Sequence, residues 1–187
     1  MSRWLRRAPW LAAALALAAA LVGGAAREGY SQLQHPLALL GARGAPGGDW
    51  FNALGFVLPG LLLAAAGSAW RARMQAAGWR VRIGATLAVF SALAFAAQGV
   101  FPLDPEHLAA GSSRYHVAAW TLWWVAFAPG AALLAGGTRP RWRHAVAATA
   151  VPWCALVPPA LVGDALALRL GFAVWFGWWL FALRWPR

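Results

Sequence analysis

Residues 99–116 read GVFPLDPEHLAAGSSRYH, with long apolar runs on both sides. A short polar segment broken by Pro and Gly between two such runs is the turn between two membrane spans, its ionisable groups near the lipid–water boundary. It holds Asp104 and Glu106 of the chain's five acids and His107 and His116 of its four histidines, so most of the candidate chemistry lies here.

Composition agrees with that reading. The chain has 187 residues, 61% hydrophobic and only 11% charged, with a mean hydropathy of +0.57, outside the range of an ordinary soluble domain. A helix needs about 20 apolar residues to cross a hydrocarbon core of about 30 Å. Six runs qualify, predicted at 8–26, 51–70, 83–103, 117–135, 145–162 and 166–183. All should be helical, because backbone polar groups cannot stay unpaired in lipid and the runs lack the alternation of barrel strands. The expected fold is an all-α polytopic membrane bundle, one six-helix transmembrane domain over residues 1–187. The first run, preceded by MSRWLRR and followed by GGAARE, is longer than the apolar core of a signal peptide, about 7–15 residues, and is read as a retained span.

The arginines set the expected orientation, because short cytoplasmic loops keep positive charge. Arg3, Arg6, Arg7, Arg71, Arg73, Arg80, Arg82, Arg139, Arg141, Arg143, Arg184 and Arg187 fall on one side of the six spans. The other side has Arg27, Arg43, Arg114 and Arg169 and all the acids: Glu28, Asp49, Asp104, Glu106 and Asp164. Both termini are therefore expected in the cytoplasm and the protein in the inner (plasma) membrane. The net charge of +11 is spread over loops, so membrane lipids, and not nucleic acid, are the expected partners, with a protein partner in the membrane also open. Lysine is absent and alanine abundant, as in a GC-rich bacterial genome.

Single residues add detail. Asp49 and Asp164 are placed to cap the second and sixth spans. Pro59 should kink the second span, and Pro152, Pro158 and Pro159 interrupt the fifth. Gly84, Ala88, Ala92 and Ala96 give the third span a small-residue face suited to close helix packing, and Gln98 should face the bundle. Trp120, Trp123 and Trp124, with Trp175, Trp178 and Trp179, could line the interior. With fourteen tryptophans in the chain, lipid-facing and packing bulk is the favoured reading. Cys154 is the only cysteine, which excludes an intramolecular disulfide. Arg169 is expected to pair with Asp164 or snorkel outward. Within residues 99–116, Asp104–Pro105 should cap a short helix ending before Gly111, and Ser112 or Ser113 the fourth span. His116 falls in that span's first turn.

GVFPLDP, Gly111 and the His of YH, together with HPLALLGARG and WFNALGFVLPG, resemble the bacterial six-span membrane family known as domain of unknown function 998. HPLALLG stands where the family usually has a serine and an acid before Leu-Gly. The resemblance implies fold and topology, carries no established activity, and picks out Asn52, Gly60, Gly99, Phe101, Pro102, Asp104 and His116.

Two functional readings follow. In one, Asp104 and His116 form a catalytic pair at the outer lipid boundary, or His35, Asp104, His107 and His116 supply metal ligands, making a membrane-embedded hydrolase or metal-dependent enzyme acting on a lipid. In the other, which carries the larger prior, Asp104, His116, Asn52, Gly60, Gly99, Pro102, Asp49 and Asp164 are structural. His116 then bonds to Asp104 and ties the third span to the fourth in a scaffold, accessory or lipid-binding module. No HExxH or nucleophile-elbow pattern favours an enzyme. Transport is weaker still, because no span has an ionisable residue near its middle. No cofactor can be named.

Overall fold

In a computed structural model, residues 3–109, 111–157 and 163–183 are described, and among them there are helices and turns but no strand. The helices are α1 (Arg3–Ala26), α2 (Gly48–Ala72), α3 (Trp79–Val100), α4 (Gly111–Gly137), α5 (Arg141–Leu156) and α6 (Asp164–Ala182). A short 3-10 turn, Leu37–Gly41, lies between α1 and α2. Successive helices pack on one another and α6 returns to α1, forming a ring-like membrane helix bundle. All of these helices except α5 are long and apolar enough to cross a bilayer. With 16 residues, α5 is about 24 Å long, slightly short of the hydrocarbon core. The expected break at Pro158 and Pro159 lies outside the described residues, while α5 runs on through Pro152.

The expected small-residue face on α3 divides between two neighbours. A Cβ on Gly84 would lie 2.7 Å from Gly130 O on α4, and one on Gly60 of α2 would lie 2.6 Å from Ala96 N. Along the α3–α4 contact, Gly84 meets Gly130, Ser91 bonds to Trp123 O and His116 bonds to Gln98 O. Each advance of seven residues on α3 is matched by seven backwards on α4. The α2–α3 contact repeats the step, with Gly60 at Ala96 and Gly67 at Val89. Seven residues are two helical turns, the antiparallel packing period that keeps one seam facing its partner. Glycine at the crossings lets backbones approach, which lipid-embedded helices need because lipid offers no hydrophobic gain on association.

The middle of the ring is filled by aromatic rings. Trp123, Trp175 and Trp179 are fully buried and Trp178 nearly so, with Trp175 stacked 4.8 Å from Phe95 and Trp178 5.0 Å from Phe127. The lipid-facing reading of these tryptophans is corrected: they form the interior wall, and Trp120 and Trp124 are half-buried at its edge. Ser91, buried at mid-helix, donates to Trp123 O at 2.8 Å and accepts from Trp175 Nε1 at 3.1 Å, joining α3, α4 and α6. Lipid is left to face residues such as Leu17, Val22, Phe90 and Leu122.

Candidate functional site

Three helices meet at the acid-bearing end, and Pro59 shapes the meeting. Proline has no N–H and its ring crowds the carbonyl four residues back, here Gly55. The chain answers by widening to a π-helical segment, Asn52–Val57, in which Leu58 N–H reaches Ala53 O. The predicted kink is therefore a local widening. Its residues lie against Gly99 of α3, where a Cβ would sit 2.7 Å from Asn52 O and 2.9 Å from Phe56. Asn52 Nδ2 donates to Gly41 O at 2.7 Å, and any side chain at Gly41 would overlap the Asn52 amide. The 3-10 turn is thus latched to α2.

His116 completes the junction from α4. Its Nδ1 lies 2.9 Å from Gln98 O, in the last turn of α3, and 3.0 Å from Phe101 O, just past its end, both carbonyls without helical partners. Both are acceptors, so Nδ1 carries the proton and donates to both. Because Phe101 leaves the helical region (φ −111°, ψ 85°), α3 ends at Val100 instead of continuing to residue 103. The imidazole is 7% exposed and meets Phe56 edge to face at 6.4 Å. Gln98 faces the bundle as expected at 1% exposure, and its Nε2 has no partner among the described residues.

The expected Asp104–His116 bond is replaced by other contacts. Ser113 Oγ accepts from Asp104 N–H at 2.8 Å and donates to Asp104 O at 3.0 Å, closing the loop onto α4 through the main chain. The Asp104 carboxylate accepts from Glu106 N–H at 3.1 Å, and its Oδ2 lies 3.7 Å from Arg43 Nη1 and 3.5 Å from His107 Nδ1. Residues 105–109 form bends and turns instead of the capped helix, because Asp104 satisfies the local backbone in a tight side-chain turn. Arg43 N–H also donates to Leu103 O at 2.7 Å, joining the two loops at this end. The Arg43–Asp104 pair is long and its guanidinium is exposed, so it contributes only about 0–1 kcal/mol.

Other expected roles shift. Asp49 lies inside the first turn of α2; the cap position is Gly47, in the left-handed region at φ 69°, with no side-chain cap bond. Gly163 likewise precedes α6 at φ 74°, so Asp164 is the first helical residue and not its cap. Arg169 is held by Tyr30 and Gln32 from the α1–α2 connection: Nη2 donates to Tyr30 OH at 2.7 Å and to Gln32 Oε1 at 2.8 Å. Gln32 Nε2 in turn donates to Ala20 O at 2.7 Å. Burial raises the Tyr30 phenol above its ordinary value of 10.0, and the Arg169 charge offsets part of the rise.

Of the candidate metal ligands, only Asp104 and His107 come together. His35 Nδ1 accepts from Ser31 N–H at 2.9 Å, and His116 is held by α3. No group of three or more His, Cys, Asp or Glu side chains among the described residues is placed to hold a metal ion. Ser91, Tyr30 and Gln32 were not singled out from sequence, and Ser113 and Arg169 were given other roles, a helix cap and a partner of Asp164. Each is a single polar residue in an apolar or loop context, and its role shows only when the helices are paired.

The architecture defines an integral membrane helix bundle with a polar junction at one end. The chain belongs to the family described as protein of unknown function DUF998, whose model matches residues 10–185. No curated protein and no solved structure matches it.

Proposed function

We propose that this protein is a six-span module of the bacterial inner membrane, with both termini in the cytoplasm, and that the junction around His116 is a structural clasp in a scaffold, accessory or lipid-binding protein. The observation that carries this reading is the commitment of His116 Nδ1 to Gln98 O and Phe101 O. A nitrogen that donates to two carbonyls is neither a base nor a metal ligand at that atom. Ser113 is likewise committed, as acceptor and donor, to the Asp104 main chain. A reaction would have to run through Nε2, and no carboxylate among the described residues orients the ring. The arginine distribution supports the orientation.

The test is complementation of a deletion strain by Asp104→Asn with His116→Gln, under a condition where the deletion shows a growth or envelope defect. An amide keeps hydrogen-bond donation but cannot shuttle a proton. The clasp reading predicts restored growth. Wild-type accumulation and melting of the variant without complementation would overturn it in favour of chemistry at this site.

A further inference from the structure

A groove of about 720 Å³ runs between α1, the 3-10 turn and the start of α2, within the about 300–1,000 Å³ of ligand pockets. One wall is a single face of α1: Leu15, Ala18, Val22 and Ala26. At 1.5 Å per residue this wall is about 16 Å long, about half the thickness of a hydrocarbon core, so the groove has the depth of one leaflet. The opposite wall is apolar, with Phe51 and Leu54 of α2. Charge is confined to the mouth, at Arg27 and Glu28, where α1 ends. Arg27 lines the groove and its Nη1 donates to Leu39 O, while its remaining donors have no partner among the described residues. Trp50, 75% exposed, stands at the rim, as aromatic residues do at membrane interfaces.

We infer that this groove is a binding site for one glycerophospholipid with a zwitterionic, amine-bearing headgroup. One acyl chain lies along α1, the phosphate is held by Arg27, and the ammonium faces Glu28. The leaflet-deep apolar wall favours an acyl chain over a compact ligand. A cation and an anion side by side at the mouth match a phosphate and an ammonium on one headgroup. The inference rests on the reading of α1 and α2 as membrane spans. It does not depend on the clasp, which lies on other residues.

Native mass spectrometry of the full chain released from detergent tests it, with palmitoyl-oleoyl phosphatidylethanolamine or phosphatidylglycerol added. Wild type should keep one phosphatidylethanolamine. Ala18→Trp, at an exposed position that fills the groove, should abolish the adduct. Arg27→Gln should weaken it about tenfold, the loss of one charge-assisted contact. Leu170→Trp, on the exposed face of α6, should bind as wild type does. Detergent melting curves establish that each variant is folded; should Ala18→Trp fail to fold, Leu54→Trp replaces it. Equal binding by all four proteins, preference for phosphatidylglycerol, or a lipid-free dimer that Ala18→Trp converts to monomer would each overturn the inference. Failure to partition with membranes would instead refute the spanning reading beneath it.

Discussion

Replacing His116 separates the hydrogen-bonding and packing parts of the clasp. In His116→Phe the ring volume stays against Phe56 but Gln98 O and Phe101 O lose their shared donor. Leaving buried acceptors unpaired costs about 1–3 kcal/mol. His116→Ala also empties the ring site. Its position at the end of the bundle, 7% exposed, lets the void partly refill, so the total should be about 2–4 kcal/mol, at the low end for deleting a ring. At about 2–4 °C per kcal/mol for a chain of this length, Ala lowers the melting midpoint by roughly 4–16 °C, Phe by less. His116→Gln, with one amide able to reach one carbonyl, should fall between Phe and wild type. Intrinsic tryptophan fluorescence in maltoside micelles reads the series. The reasoning is refuted if His116→Phe melts with wild type, since the carbonyls would then not need the donor.

Gly60→Ala should destabilise by about 1–3 kcal/mol by overpacking, because its Cβ would meet Ala96 N at 2.6 Å, whereas Gly177→Ala, with nothing within 4 Å, should be neutral or slightly stabilising; the check is detergent melting of the two side by side. On a Cys154→Ser background, cysteine at Arg43 should label with an impermeant maleimide from outside intact cells, while cysteine at Gly78 or Arg139 should label only after permeabilisation; labelling of Gly78 from outside sinks the six-span topology. The Tyr30 phenol is raised from 10.0 by burial, so its neutral form is favoured in the folded protein. Its contribution is fully present below pH 10 and is lost as pH rises through the folded value. Difference absorbance between wild type and Tyr30→Phe should show a phenol titrating above pH 10, and a midpoint at or below 10 contradicts the burial.

Much of the fold is visible in the chain because the bilayer imposes it: apolar runs of spanning length have to be helices, and five of the predicted runs fall on helices long and apolar enough to cross, while the fifth run falls partly on the shorter α5. The small-residue face of α3 was also legible, since glycine and alanine at every fourth position have few other uses in lipid. Its division between α2 and α4 was not, because the heptad partners Gly60, Gly67 and Gly130 lie on other helices and pair only in three dimensions. The tryptophans misled for a related reason. An indole suits both a membrane interface and a bundle interior, and only packing against Phe95 and Phe127 decides for the interior. Within the junction, the sequence pointed to His116, Asn52, Gly99 and Asp104, but paired side chain with side chain. The actual partners of His116, Asn52 and Ser113 are main-chain atoms, which every residue carries and no sequence pattern distinguishes.

The clasp makes one atomic claim open to direct observation. Because both neighbours of His116 Nδ1 are carbonyl oxygens, the proton of the neutral ring must sit on Nδ1. Nitrogen-15 NMR of the histidine-labelled protein in micelles, with the His116 signals assigned by loss in His116→Gln, reports which ring nitrogen is protonated. The account predicts a protonated Nδ1 and a bare Nε2. A bare Nδ1 with the proton on Nε2 would mean that His116 does not hold α3, and would contradict the clasp.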